Sequence, residues 1–595
     1  MKLTLLFIAL SLTGTIVLSA QNPELQTDFE KSEGLRTPRY EETVNYCKKL
    51  DAASPLITYA TFGVSPQGRD LPLLIADSKG RTDVKAIRKS GNIVLLIQAC
   101  IHAGEPDGKD AGLMLLRDMV TQPSCRALLD HVSVLFIPIF NVDGHERFGP
   151  YNRINQNGPE EMGWRTTAQN LNLNRDYLKA DAPEMKDWLA LYNYWMPDFL
   201  VDCHVTDGAD YQYVLTYALE THGTMEQHLS DWVAGTVEPY LVNEMDKAGY
   251  PVFPYVEFRE WHDPRSGLVV GAAPPMLSQG YCAIQNRPAL LIESHMLKPY
   301  KQRVEGTYTM LQLLIGKLNH EAGNLTKLVR EADEYTCGKQ FRSGEFPVNF
   351  GESLSDSVMV DFRGMEYTAD TSDLTGGLWF RYDNSKPVIW KIPMFPHPRP
   401  DVSVKLPEAY IIPPEWCNII CTLKLHGVEM HEILQEQTIE VSTYRFSNAR
   451  WQQRPYEGRH KVQCAVNETV EKRTFPAGSV VVPMNQRTAR VIAHLLEPRS
   501  PDSFVSWGFF DVVFEQKEYF ETYVMEPEAR KMMLENPALK KEFEKLKASD
   551  KGFAADQYAQ LMWFYNKTPW SDKQFNLYPV GRILDGEMVK KLGAK

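Results

Sequence analysis

The residues best suited to chemistry lie in the segment Ile101-His102-Ala103-Gly104-Glu105-Pro106. His102 and Glu105 are three residues apart, and the glycine between them allows a loop to turn both side chains toward one point. Imidazole nitrogens and carboxylate oxygens are good ligands for Zn²⁺, and a catalytic zinc takes three protein ligands and a water. A lone His-x-x-Glu pair is a weak signal, so the rest of the chain must supply further members of the site.

Two more candidates end apolar runs further along the chain. His204 follows the run Phe199-Leu200-Val201, and Glu293 ends the run Leu290-Leu291-Ile292. Open α/β sheets place their sites beyond the carboxyl ends of strands, so both residues are expected near the His-x-x-Glu pair. Taken alone, His204 reads as a core histidine and Glu293 as a salt-bridged strand end. Taken together, these residues predict a zinc site with a further carboxylate beside it.

Polar residues between these elements suit the recognition of anions. They form two groups, Gly163-Trp164-Arg165 and Asn170-Leu171-Asn172-Leu173-Asn174-Arg175-Asp176. Arginine presents a rigid two-pronged donor face that matches carboxylates and oxyanions. In isolation the same residues are ordinary polar residues of a surface loop.

The elements that must position these residues lie between about residues 30 and 325, where apolar runs alternate with helical patterns. Near-continuous apolar runs suit strands that are buried on both faces. Their alternation with helices predicts an α/β fold with a largely parallel or mixed sheet. The apolar runs are 92–97, 132–140, 198–203 and 289–292, and helical stretches lie at 112–120 and 184–194.

The pattern changes after about residue 335. Short β-like runs, separated by glycine, proline, asparagine and aspartate, predict a β-rich, sandwich-like module. These runs are 358–362, 378–381, 388–392, 439–446 and 479–482. Helical, charge-rich stretches at 515–546 and 555–565 follow them.

The composition of the 595-residue chain is that of a soluble globular protein, with 43% hydrophobic and 24% charged residues. The net charge of -12 disfavours a nucleic-acid partner, because such proteins usually present a basic face. The odd count of nine cysteines leaves at least one thiol unpaired in a monomer, and all nine are interpreted as structural.

The first residues have the layout of a secretory signal peptide. Lys2 precedes an apolar run from Leu3 to Leu18, and small residues end at a cleavage point near Ala20. The alternative is an uncleaved membrane anchor, but the run is short for a membrane span. We expect a secreted or periplasmic protein with no stable membrane span in the mature chain.

The order of the motifs resembles that of the zinc carboxypeptidase family, which includes pancreatic carboxypeptidases A and B. The resemblance covers about residues 40 to 320. Six elements occur in the order of that family: His-x-x-Glu at 102–105, Asn-x-Asp-Gly at 141–144, Trp164-Arg165, Asn174-Arg175, the strand-end His204 and the strand-end Glu293. The resemblance implies a mixed eight-stranded sheet flanked by helices.

The sequence pattern divides the chain into three parts, and the resemblance implies a role for each site residue. Residues 1–20 would be a signal peptide, 21–335 the catalytic domain, and 336–595 a β-rich and helical module of unknown role. The implied roles are one zinc per chain held by His102, Glu105 and His204, Glu293 as general base, Arg165 on the scissile carbonyl, and Asn174 with Arg175 on the C-terminal carboxylate.

The chain departs from the family at two points in the site. The family often has an aspartate where this chain has Asn172, and that aspartate supports a zinc-ligating histidine, so the tuning of the metal is expected to differ. The mobile tyrosine of the active site has no clear counterpart, and Tyr281 in Gln279-Gly280-Tyr281 is the candidate. The residues that set side-chain preference cannot be aligned either.

The predicted function is a zinc-dependent metallocarboxypeptidase acting on peptides. Three alternatives stay open: an aspartoacylase-like deacylase of N-acyl amino acids, a peptidoglycan stem-peptide hydrolase, and an inactive binding protein. Residues beyond about 345 are expected to supply no catalytic group. His426 and His431 are five residues apart, which is not the helical zinc spacing of four.

Overall fold

A computed structural model describes residues 25–206 and 208–593. The predicted signal peptide lies outside these residues, so the signal peptide and the secreted or periplasmic location stay predictions. Within the described ranges, no helix combines the length and the apolar character that crossing a membrane requires.

The first half of the chain forms the predicted α/β arrangement. Its strands are β1 (Ile57–Val64), β2 (Asp70–Ala76), β3 (Ile93–Gln98), β4 (Val132–Ile137), β5 (Phe199–Thr206), β6 (Leu215–Leu219), β7 (Val252–Pro254), β8 (Glu257–Glu260), β9 (Asp263–Val269) and β10 (Ala289–His295). Its helices are α1 (Asp28–Lys31), α2 (Tyr40–Ala53), α3 (Val84–Lys89), α4 (Asp107–Thr121), α5 (Pro123–Arg126), α6 (Val142–Glu146), α7 (Pro183–Trp195), α8 (Gln227–Trp232), α9 (Glu238–Lys247), α10 (Ser278–Ile284) and α11 (Tyr300–Cys337).

The predicted eight-stranded mixed sheet is confirmed, with the strand order β1-β2-β4-β3-β5-β10-β6-β7. The central strands β4, β3, β5 and β10 are parallel, whereas β1, β2 and β6 join the sheet by antiparallel pairing. Alternate side chains of β3 enter separate hydrophobic clusters on the two sheet faces, with Ile93 and Leu95 on one side and Val94 and Leu96 on the other. Burial on both faces explains why these strands are apolar throughout.

The second half is β-rich and ends in helices, as predicted. Its strands are β11 (Glu345–Gly351), β12 (Val358–Thr371), β13 (Leu378–Phe395), β14 (Arg399–Lys405), β15 (Ala409–Ile412), β16 (His431–Glu432), β17 (Gln437–Trp451), β18 (Val462–Phe475), β19 (Val480–Pro483) and β20 (Gly581–Ile583). Its helices are α12 (Lys339–Arg342), α13 (Cys417–Leu425), α14 (Ala489–Leu496), α15 (Thr522–Glu535), α16 (Pro537–Ser549), α17 (Lys551–Ala555), α18 (Gln557–Tyr565) and α19 (Gly586–Lys591).

The largest sheet of this half has helices on both faces, and the sandwich-like arrangement stays a prediction. Strands β15 to β20 form a six-stranded antiparallel sheet in the order β16-β19-β15-β20-β17-β18. One face of it packs with α13 and α14, and the other packs with α19. Residues of β11 and β14 also belong to the cluster on the α13 and α14 side.

The two halves of the chain share a hydrophobic core. Trp188 and Tyr192 of α7 belong to the same buried cluster as Ile419 and Leu423 of α13. The hairpin β12-β13 also extends the pairing of β8 and β9, because β13 runs parallel to β9. The division at residues 335 and 336 stays a prediction, but the second half packs closely on the half that carries the zinc motif.

Candidate functional site

The loop between β3 and α4 and the end of β5 bring together His102, Glu105 and His204. Possible ligand atoms of these three buried residues all lie within 4.8 Å of one another. The Nδ1 atoms of the two histidines are 3.2 Å apart, and each is 3.2 Å from the Glu105 carboxylate. The sequence placed these residues at one sheet edge, and the structure turns their donor atoms toward a single point.

Close packing of α4 on β5 sets the position of this loop. A Cβ atom at Gly108 would lie 2.2 Å from the Cβ of Cys203, so only glycine permits this approach of helix and strand. Cys203 immediately precedes His204, and Gly108 lies three residues after Glu105. The contact therefore holds the ligands from the loop and from the strand next to each other.

The Nε2 atoms of both histidines face protein side chains, which leaves their Nδ1 atoms available to a metal. Nε2 of His102 lies 3.0 Å from the Oδ1 atom of Asn172, and Nε2 of His204 lies 2.9 Å from the carboxylate of Asp202. Both partners favour a proton on Nε2 and a lone pair on Nδ1. Two imidazole lone pairs and a carboxylate facing one point are the donor set that zinc prefers, so these residues fit that metal.

The protonation states of the triad follow from burial and charge. Burial lowers the pKa of His102 to about 4, which keeps its imidazole neutral. Burial opposes ionisation of Glu105, but its interaction with His102 and the positive charge of Arg153 hold its pKa well below the usual range. Burial also opposes protonation of His204, but Asp202 raises its pKa well above the usual range. A metal ion would compete with that proton at His204.

Glu293 lies on β10 beside the triad. It pairs in register with His204 on the parallel strand β5, so the two side chains leave the sheet on the same face. Burial raises the pKa of Glu293 to about 8, and the negative charge of Glu105 adds to this effect while His204 and Arg165 oppose it. The structure therefore provides a carboxyl group able to carry a proton near neutral pH.

Arginines form the other side of the site. Arg153 Nη2 lies 2.8 Å and Arg165 Nη1 lies 3.4 Å from the Oε1 atom of Glu105. Burial and the nearby charges of Arg153 and Arg175 lower the pKa of Arg165. Its side chain is still 42% exposed, so it can reach a ligand that enters from solvent.

The motif at 141–144 holds the loop that carries Arg165. Asn141 accepts a hydrogen bond from Gly144 N at 2.9 Å and donates one to the carbonyl of Arg165 at 3.2 Å. A Cβ at Gly163 would lie 2.7 Å from the carbonyl oxygen of Ala103, so this loop can approach the zinc-ligand loop only with glycine there. Asn141 and Gly163 thus act on the site through the backbone.

Asn172 connects the metal ligands to Asn174 and Arg175. Its Oδ1 atom accepts from Asn174 N at 3.0 Å as well as from His102, so one amide supports both groups. Asn174 is buried, and its Oδ1 atom has no hydrogen-bond partner among the described residues. Arg175 is partly exposed and donates to the carbonyl of Asn174 at 2.6 Å.

Tyr281, proposed from the sequence as the active-site tyrosine, does not lie in the site. It is 0% exposed in the hydrophobic core, because α10 packs between the main sheet and the second half of the chain. Its hydroxyl is hydrogen-bonded to Gln285 and lies 3.0 Å from Nδ1 of His426. His426 is itself buried and contacts the carbonyl of Leu178 through Nε2, so both residues have structural roles.

Sequence reasoning missed three residues near the site. Asp202 could have been found, since it lies two residues before His204 and therefore on the same face of β5. Arg153 lies in an irregular loop with no pattern to mark it. Tyr456 reaches Arg175 from the second half of the chain, and its phenol oxygen lies 3.1 Å from the Nε atom of Arg175.

Comparison with known proteins agrees with this geometry. Residues 43–193, which include the His-x-x-Glu pair and the loop with Arg175, match the family model described as zinc carboxypeptidase. The chain resembles the zinc carboxypeptidase family through this segment. It is a metallopeptidase, and the family implies zinc as the metal.

The chain is similar to curated fungal proteins over most of its length. It is 24% identical to Carboxypeptidase 2 of Trichophyton rubrum over 503 residues, which cover 81% of this chain and 86% of the relative. It is also 24% identical to Carboxypeptidase 2 of Trichophyton equinum over 506 residues, with the same coverage.

Among solved structures, the chain is similar to a metallo-carboxypeptidase from Pseudomonas aeruginosa. That similarity has 18% identity and a TM-score of 0.36, and covers 48% of this chain and 69% of the other. A metallo-carboxypeptidase from Burkholderia cenocepacia has 16% identity and a TM-score of 0.36, with 47% and 69% covered.

Proposed function

We propose that this chain is a metallocarboxypeptidase that removes the C-terminal residue of peptides, with one zinc ion held by His102, Glu105 and His204. The observation that carries the proposal is the convergence of these three donors within 4.8 Å. A carboxyl group on the adjacent strand and arginines on the facing loops complete the set of groups that amide hydrolysis requires.

In the proposed reaction, Glu293 moves the proton. His102, Glu105 and His204 would hold a zinc ion, which would supply Lewis-acid chemistry by lowering the pKa of a water and polarising a carbonyl group. Glu293 takes a proton from the attacking water and returns it to the leaving amine. Burial raises the pKa of Glu293, which suits a group that must hold a proton between these two steps, and the charge of a bound zinc would favour the ionised form before the attack.

Arg165 is the proposed donor to the carbonyl oxygen as negative charge develops there. Its partial exposure and its position beside Glu105 support this role. Guanidinium is always charged and needs no proton transfer to stabilise an oxyanion. Arg153 is bonded more closely to Glu105 and is proposed to hold that ligand in place.

Asn174 and Arg175 are proposed to bind the free carboxylate at the C-terminus of the substrate. Asn174 has an unpartnered buried amide oxygen, and Arg175 has N–H groups beyond those given to Asn174 and Tyr456. A guanidinium binds a carboxylate through two parallel hydrogen bonds. Recognition of that terminus would make the enzyme an exopeptidase.

The test compares wild type and Arg175→Ala on matched peptides with free-acid and amidated C-termini. Truncating one partner of a buried charged pair costs about 2–5 kcal/mol, which at 1.4 kcal/mol per decade is roughly a 30- to several thousand-fold loss of kcat/KM. Amidation and Arg175→Ala should each cause such a loss on their own. The two changes should be strongly non-additive, because both remove the same contact.

Equal hydrolysis of both peptides by the wild type would rule out recognition of the terminal carboxylate. Such a result would indicate an endopeptidase or a deacylase. Turnover of N-acyl amino acids in place of peptides, followed by mass spectrometry, would identify the second of these.

A further inference from the structure

A turn from the second half of the chain closes one side of the loop that carries Asn174 and Arg175. The turn lies between β17 and β18, in the segment 452–461. Arg175 Nε donates a hydrogen bond to the hydroxyl of Tyr456 at 3.1 Å, and Asn172 N donates one to the Glu457 carboxylate at 3.0 Å. Both contacts join residues more than 280 positions apart in sequence.

The turn has a defined backbone conformation. Tyr456 and Arg459 exchange backbone hydrogen bonds of 2.8 and 3.1 Å. The two residues between them, Glu457 and Gly458, have positive φ values of 50° and 76°. Positive φ at both central positions characterises the tight two-residue turn that matches the twist of a hairpin, so the tip of this hairpin is ordered.

Side chains on either side of the turn fix it to the rest of the protein. Arg459 forms two hydrogen bonds of 2.7 Å with the carboxylate of Asp181 in the first half of the chain. The ring of Tyr456 stacks on Trp507 at a centroid distance of 5.9 Å and an angle of 13°. Paired guanidinium bonds and ring stacking both restrict rotation, so the phenol oxygen is held at a set place beside Arg175.

This arrangement determines which N–H groups Arg175 can offer. One is directed to Tyr456 and another to the carbonyl of Asn174, which leaves the remaining Nη groups to a ligand. Because the phenol oxygen accepts from Arg175, the phenol proton can be donated to a second acceptor. Tyr456 is 36% exposed, so that acceptor can come from solvent.

We propose that Tyr456 is a positioning residue of the carboxylate subsite, supplied by the second half of the chain. Resting on the function proposed above, this means that the hairpin between β17 and β18 orients Arg175 and favours peptides with a free C-terminal carboxylate. The second half of the chain then contributes to exopeptidase selectivity although the zinc ligands and Glu293 all lie in the first half.

The test measures kcat and KM of Tyr456→Phe on matched free-acid and amidated peptides. Removing a hydrogen bond to a charged group should lower kcat/KM on the free-acid peptide by about 10- to 100-fold, mainly through KM. On the amidated peptide the change should stay within about 3-fold, since no carboxylate is present to be recognised. Tyr519→Phe, an exposed tyrosine remote from the site in sequence, is the matched control and should change neither.

A double-mutant cycle with Arg175→Ala separates positioning from a general loss of structure. In the Arg175→Ala background, Tyr456→Phe should have no further effect on the free-acid peptide. An equal loss on both peptides, or an additive loss in the cycle, would overturn the proposal. If the wild type prefers the free-acid peptide and Tyr456→Phe keeps the same preference, the role proposed for Tyr456 is wrong and the proposed function still stands. A wild type without that preference would overturn both.

Discussion

The proposed zinc ligands, His102, Glu105 and His204, and the proposed carboxylate-binding loop, residues 172–175, differ in what holds them in place. His204 and Glu293 are carried by adjacent parallel strands, and the loop with His102 and Glu105 is held against β5 by the packing of α4. Residues 172–175 form only a short turn, and their side contacts come from Tyr456 and Glu457 in the other half of the chain. Asn172 contacts the zinc ligand His102 through its side chain and Glu457 of the hairpin through its backbone N–H.

The two regions therefore differ in the structural elements that carry them and in the roles proposed for them. The central strands β3, β4 and β5 are buried along their whole length, and β5 and β10 carry His204 and Glu293. The loop proposed to recognise substrate contains the partly exposed Arg175 and is contacted by a distant hairpin. Changes at the first region should remove chemistry, whereas changes at the second should alter selectivity.

The largest effect is expected from removing metal ligands. A His102→Ala, His204→Ala variant should lose its zinc and all measurable peptidase activity, because only Glu105 of the triad is left to bind the metal. Elemental analysis of purified protein should give one zinc per wild-type chain and none in the variant. Full retention of zinc by the variant would show that the metal lies elsewhere.

A smaller but still large effect is expected for Glu293→Gln. Glutamine keeps the size of the side chain and cannot accept the proton, so activity should fall by roughly 10²–10⁴-fold with zinc still bound. Glu436→Gln, an exposed carboxylate in the second half, should have no effect. Near-normal turnover in Glu293→Gln at full zinc occupancy would assign the base to another residue.

Asn172 links the two regions and should give an intermediate effect. Loss of a group that supports a metal-bound histidine typically costs 10–100-fold, so Asn172→Ala should weaken zinc binding by about that factor. Asn172→Asp should retain zinc, because a carboxylate can also accept from Nε2 of His102. Titration with a competing chelator measures the zinc affinity of both variants. Equal zinc affinity of the wild type and Asn172→Ala would show that Asn172 does not support the metal site through His102.

The smallest effect is expected for His431→Ala. His431 begins the short strand β16 and lies outside both regions, so kcat/KM should stay within a few-fold of the wild-type value. His426→Ala is a different case, since His426 is buried against Tyr281 and Leu178. It should lower the thermal unfolding temperature, and a loss of activity beyond that explained by unfolding would contradict a purely structural role.

Much of the fold could be predicted because the central strands are apolar throughout. Residues 92–97 and 289–292 form continuous apolar runs, which indicate strands buried on both faces of a sheet. The order of strands in the sheet and the close approach of α4 to β5 at Gly108 depend on packing between distant segments. No single apolar run in the sequence predicts either of them. The helices that cover the six-stranded sheet after residue 335 likewise come from separate segments of the chain.

The sequence by itself determined the chemistry available at the strand ends. His102 and Glu105 follow a buried strand, and His204 and Glu293 lie near the carboxyl ends of two others. The carboxyl ends of parallel strands lie at the same edge of a sheet. Only the tertiary structure decided which tyrosine lies beside Arg175. Tyr281 is near the site in sequence but is directed into the core, whereas Tyr456 is 281 residues from Arg175 and contacts it. Local periodicity in the sequence predicts where a strand ends. Contacts between distant loops depend on how the two halves of the chain pack, and no short sequence pattern predicts that packing.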